Sequence, residues 1–118
     1  MRRDARSYLL DVIDSCDAIA HAFVGVGLEA YLSNRLVRSA VEREFMIVGE
    51  AINCFSRVAP ESFSAITQAR HIIDFRNQLA HEYSSVNDTI VWTTAVREAP
   101  LLRDECASAL DALEGVAD

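Results

Sequence analysis

The chain contains no lysine. All 11 of its basic residues are arginine, so guanidinium is the only permanently cationic side chain available to fork around a phosphate or a carboxylate. A genomic preference for arginine codons explains the same bias without any function. Glycine and proline are scarce, 4 and 2 in 118 residues, which argues against a turn-rich all-β fold because such folds need these residues to punctuate their hairpins. The net charge of -7 argues against a general nucleic-acid coat, which needs cations spread over a face, so any phosphate contact must be local. Cys16, Cys54 and Cys106 are odd in number and far apart, with no CxxC and no Cys/His ligand spacing. They are expected as buried small hydrophobes in a reducing cytoplasm, not as metal ligands. No stretch approaches the roughly 18 apolar residues of a membrane span, and no charged-then-apolar leader opens the chain. The expectation is a soluble, cytoplasmic protein with no membrane, metal or cofactor.

What is present is apolar and helical. With 51% hydrophobic and 25% charged residues the chain can bury one core, and 1–118 is expected to form a single domain. Apolar residues recur at helical spacing from Asp4 to about Phe23, where Gly25-Val26-Gly27 breaks the run. Asp11, Asp14 and Asp17 form an acidic row on that helix, read as a solvated face. A short segment from Leu28 to Leu32 leads to Ser33-Asn34, a plausible cap for the longest helix, about Arg35 to Val58. Its stripe runs Leu36, Ala40, Val41, Phe45, Val48, Ala51, Ile52, Phe55. Gly49 suggests close helix approach, with Glu50 either buried and paired or a rim carboxylate. Pro60 ends the helix, and a single next helix is expected from about Ser62 or Phe63 through Ile66, Ile72, Ile73 and Phe75 into the stretch 74–83. Asn87 or Asp88 should cap the last helix, which Pro100 should kink near Val96 or Arg97 before the tail frays from Gly115. The sum is an all-α, up-and-down bundle of four or five helices.

Chemistry concentrates in Asp74-Phe75-Arg76-Asn77-Gln78-Leu79-Ala80-His81-Glu82-Tyr83. At about 100° per residue, Asn77 and His81 share one helix face and Arg76 and Tyr83 another, while Arg76 and His81 diverge by roughly 140°. Either the long arginine swings round, or the helix loosens near Ala80, or the site combines two chains. Spacing alone also allows a bland alternative, with Arg76 in a surface ion pair with Glu82 or Asp74 and His81 at the helix C-cap. His71 and Trp92 are read as structural.

Arg76-Asn77, four further residues, then His81-Glu82-Tyr83 resembles the Arg-x4-His-x-Tyr signature of HEPN domains, specifically the HepT-like toxins of HepT/MNT toxin–antitoxin modules. Val48-Gly49-Glu50-Ala51 is similar to that family's Ile-Gly-Glu-Ala stretch, and Val91-Trp92 and Ala99-Pro100-Leu101 resemble its final helix. Asp74-Phe75 stands where Gly-Met often precedes the motif, and Ser84-Ser85 where an aromatic-Gly pair often follows. The resemblance implies a type VII toxin: a homodimeric, metal-independent endoribonuclease with catalytic Arg76 and His81 at a cleft between protomers. It also implies an MNT-type nucleotidyltransferase antitoxin that transfers AMP to Tyr83.

The residues suit that chemistry on their own terms. An imidazole titrates near neutrality, so His81 can take the proton from a ribose 2′-hydroxyl, while Arg76 steadies the charge growing on the phosphate. Asn77 could orient the imidazole or hold a phosphate oxygen, and Glu82 could do either less well. The alternative is a non-catalytic helical binding module that partners a nucleotidyltransferase and presents Tyr83 for modification. A purely structural helical dimer would leave the Asp74–Tyr83 stretch unexplained.

Overall fold

The computed structural model describes residues 4–82 and 85–117, so Tyr83 and its expected modification lie outside the described residues. The described residues form helices joined by turns, with no strand. None of these helices is long and apolar enough to cross a membrane.

Helix α1 spans Ala5–Ala22. Asp4 starts it, its carboxylate accepting from the Arg6 backbone N–H at 2.8 Å and pairing with the Arg6 guanidinium at 2.9 Å. Those bonds hold the Asp4 carboxyl down at about 2. The face carrying Leu9, Val12, Ile13, Cys16 and Ile19 is buried. Gly25, at φ +70, turns the chain in the left-handed conformation that a side chain would resist. The short α2, Leu28–Ser33, buries Tyr31 beside Phe23, ring centroids 5.2 Å apart.

Helix α3, Arg35–Val58, is capped as expected, the Asn34 side chain accepting from the Val37 N–H at 3.1 Å. Its buried set begins one turn later than the sequence stripe suggests. Leu36 is 81% exposed and Ala40 is also on the surface, while Val41, Phe45, Val48, Gly49, Ala51, Ile52 and Phe55 are inside. The first turn of α3 thus leaves Leu36 uncovered while its neighbour Val37 packs against the core, a distinction that periodicity alone cannot reveal.

The single helix expected from about Ser62 or Phe63 is instead two. Helix α4, Pro60–Ser64, ends in a turn, and α5 begins at Ala69 and runs to His81. The break has a tertiary cause. Ile66 turns into the core at 4% exposure, and Glu105 of the last helix takes the backbone N–H groups of Thr67 at 2.9 Å and Gln68 at 3.3 Å. A carboxylate distant in sequence thereby caps α5, whose own N-terminal residue supplies no side-chain cap.

Asn87 caps α6, Asp88–Thr93, accepting from Thr89 and Ile90 N–H groups. The chain then continues as a π-helical turn over Thr94–Glu98 into α7, Ala99–Ala117. Pro100 has no N–H to offer the Val96 carbonyl, and its ring crowds that carbonyl, so the helix widens to let Ala99 N–H reach Thr94 O. The disturbance falls where expected, as a π turn. Helix α7 continues through Ala117, and Asp118, the last residue of the tail expected to fray, lies outside the described residues.

Four rods result: α1, α3, α5 and the joined α6–α7. Helix α1 packs chiefly on α3 and α7, and α3 on α5. Phe45 of α3 meets Phe75 of α5 edge-on, centroids 5.0 Å apart at 87°, a pairing worth about 0.5–1.5 kcal/mol beyond area burial. This contact fixes the level at which the reactive stretch of α5 lies against α3.

Candidate functional site

Ile72, Ile73, Phe75 and Leu79 bury one arc of α5, which places Arg76 at the edge of the α3–α5 seam and leaves Asn77 and His81 exposed. Gly49 makes that arrangement sterically possible. A Cβ at Gly49 would collide with Cβ and Cγ of Arg76, so the arginine stem lies directly over bare α3 backbone. The approach read from Gly49 in the sequence is therefore real, and its occupant is Arg76.

The guanidinium is held at two points. Arg76 Nη2 donates to Glu50 Oε2 at 3.2 Å, and Nη1 donates to Asn77 Oδ1 at 3.1 Å. Arg76 Nε is buried with no hydrogen-bond partner among the described residues. The Glu50 side chain is 56% exposed against 26% for Arg76, so Glu50 is a paired rim carboxylate and not a buried one. An ion pair this wet contributes about 0–1 kcal/mol to folding. Of the partners suggested by spacing, neither Asp74 nor Glu82 holds Arg76; Glu50, 26 residues away, does. Cys54, one turn further along α3, lies 3.8 Å from Glu50 Oε1.

Arg76 faces an open groove of about 510 Å³ between α1 and α3, lined by Tyr8, Asp11, Arg43, Glu50 and Cys54 among others. The acidic row on α1 divides there: Asp11 lines the groove, while Asp17 bonds Arg103 of α7 at 3.0 Å. Among the described residues no group of three or more His, Cys, Asp and Glu side chains converges.

His81 is elsewhere. It closes α5 as an exposed residue, and the Glu82 N–H still bonds Gln78 O at 2.9 Å, so the helix does not loosen near Ala80. Arg76 does not swing round either, being committed to Glu50 and Asn77. Two of the three routes by which the sequence could unite Arg76 with His81 are closed within one chain. Asn77 commits its side-chain oxygen to the arginine, not to the imidazole. Glu82 borders a separate hollow of about 190 Å³ with Phe75, Gln78, Leu79 and Val86. His71 pairs with Glu98 of the π turn at 2.9 Å, and Trp92 packs half-buried against the core, which gives both the structural roles read from the sequence.

The fold and this stretch together define an all-helical bundle that presents an Arg-x4-His motif from one helix. The family model for ribonuclease HepT-like proteins matches residues 12–109, which include Glu50, Arg76 and His81, and the chain belongs to that family. Among its relatives is "Putative RNase MJ1216" of Methanocaldococcus jannaschii, 26% identical over 97% of this chain and 93% of that protein. "Putative RNase TTE0752" of Caldanaerobacter subterraneus is 28% identical over 85% of this chain and 88% of its own. "Probable ribonuclease HepT" of Thermococcus cleftensis is 28% identical over 87% of this chain and 93% of its own. No solved structure matches the chain.

Proposed function

We propose that this protein is the toxin of a HepT/MNT module, a metal-independent endoribonuclease that works as a homodimer through Arg76 and His81. Family membership supports the class of activity. The single observation that carries the chemistry is the braced guanidinium of Arg76 at the mouth of an open groove, on the same helix as an exposed imidazole. In this reading His81 takes the proton of a ribose 2′-hydroxyl, whose oxygen attacks the adjacent phosphorus. The 5′-oxygen leaves with a proton, and a 2′,3′-cyclic phosphate remains. Arg76 stabilises the negative charge that accumulates on the phosphate oxygens in between. Because the two side chains diverge on one regular helix, a second copy completes the site, setting its His81 across a cleft from Arg76 and doubling the cations that meet one strand. An MNT-type nucleotidyltransferase would silence the toxin by moving AMP from ATP onto the Tyr83 oxygen with loss of pyrophosphate. That adds bulk and negative charge beside the motif.

One observation favours the non-catalytic binding module instead: Arg76 is already paired with a carboxylate. A single experiment separates the readings. Partner-free protein is incubated with transfer and messenger RNA in EDTA beside Arg76→Ala and His81→Ala. Wild-type cleavage to cyclic-phosphate ends, lost in both variants, supports the ribonuclease. Equal inactivity of all three proteins refutes it. Intact mass after co-expression with the nucleotidyltransferase tests the off-switch, with AMP units expected on wild type and none on Tyr83→Phe.

A further inference from the structure

We propose that Glu50 is a positioning residue for Arg76, fixing the guanidinium plane in its working orientation before RNA arrives. The functional half of this inference rests on the ribonuclease reading; the structural half stands without it. An arginine fork carries five N–H donors: one on Nε and two on each terminal nitrogen. Glu50 takes a donor from Nη2 and Asn77 one from Nη1, while Nε is buried with no acceptor among the described residues. Among the described residues one N–H on each terminal nitrogen has no other acceptor and is open to phosphate oxygens, the group that an arginine fork suits better than a lysine.

The pair is too exposed to matter much to folding, yet the molecule is shaped to form it. Gly49, next to Glu50, omits a Cβ at the one place where it would strike the arginine stem. The stem is thereby pinned from below and the head from two sides. A free arginine on a surface would have to freeze several rotors each time it met a strand, and a pre-set one does not. The same carboxylate partly cancels the arginine charge, so it should loosen the resting grip on RNA while speeding the chemical step. That opposition is the signature to look for, because a residue that merely supported the fold would lower binding and rate together.

The test compares wild type, Glu50→Ala and Glu50→Gln, all made without the partner. With a cleavable RNA, Glu50→Ala should lose about 10- to 100-fold in kcat, the usual consequence of letting a catalytic group wander. Its affinity for the same oligonucleotide carrying a 2′-deoxy residue at the cleavage position should be unchanged or tighter. Glu50→Gln keeps an acceptor oxygen and should recover most of kcat. In parallel, the Arg76 guanidinium NMR signals should be resolved and slowly exchanging in wild type and Glu50→Gln, and averaged in Glu50→Ala. A Glu50→Ala protein with wild-type kcat, or with Arg76 signals as well resolved as wild type, overturns the proposal. Should wild type cut no RNA, the ribonuclease reading falls, and the NMR comparison still decides whether Glu50 holds Arg76.

Discussion

Replacing Gly49 by alanine should destabilise the protein, although the same change in an open helix would stabilise it. The added methyl would overlap Cβ and Cγ of Arg76. Cβ is tied to the α5 backbone and cannot rotate aside, so the helices must part by on the order of 1 Å in a seam packed to crystalline density. That movement would also disturb the Phe45–Phe75 contact, now 5.0 Å between centroids. Overpacking of this kind costs about 1–3 kcal/mol, and an obstacle anchored to backbone belongs in the upper part of that range. Removing a helical glycine returns about 1 kcal/mol. The net is a loss of about 1–2 kcal/mol, which for a domain of this size lowers Tm by roughly 5 °C. Thermal unfolding followed by helical circular dichroism reads this directly. Gly115→Ala is the control: nothing lies within 4 Å of a Cβ there, and its Tm should equal or exceed that of wild type. A Gly49→Ala protein that melts at or above the wild-type temperature would refute the close approach.

Other consequences follow from single contacts. Glu105→Ala removes the acceptor for the Thr67 and Gln68 N–H groups and should cost about 1–2 kcal/mol, with faster hydrogen exchange at those two amides; unchanged exchange would mean the remote cap does not operate. Burial pushes the Cys16 and Cys106 thiols up to about 12, so a thiol reagent at mildly alkaline pH should react promptly with Cys54 alone in the native protein, and Cys54→Ser should abolish that reaction. Because those two thiols give up protons more readily once unfolded, stability should fall as pH climbs from 9 toward 12; a flat alkaline profile would contradict their burial. Burial, and then the nearby Asp88 carboxylate, raise the Glu42 carboxyl above its ordinary 4.5 despite opposition from Arg38. Its charged form is thus disfavoured by folding, so Glu42→Gln should raise Tm at neutral pH, and the gain should vanish below about pH 4, where both states are protonated. A gain that persists in acid would point to some other cause.

Much of the molecule is legible in its sequence because the signals are local. The caps at Asn34 and Asn87, the break at Gly25 and the disturbance ahead of Pro100 each follow from what one side chain does to its own backbone. The Arg-x4-His stretch and its likeness to HepT-like proteins were likewise visible, and the family match agrees with that likeness. Where the reading failed, the deciding partner was remote. A continuous apolar pattern crosses Ile66, and nothing near it announces that Glu105 will take the amides of Thr67 and Gln68.

The sequence by itself determined an all-helical chain, the helix on which Arg76 and His81 sit, and the angle of roughly 140° between them, since helical geometry is fixed by the backbone. Only the tertiary structure decided what each of them meets. Glycine at 49 and glutamate at 50 are read as a close approach and an ambiguous carboxylate until α5 is laid against α3. Then both prove to serve one guanidinium. Pairing across 26 residues depends on how two apolar faces register, and that register is set by the whole core at once.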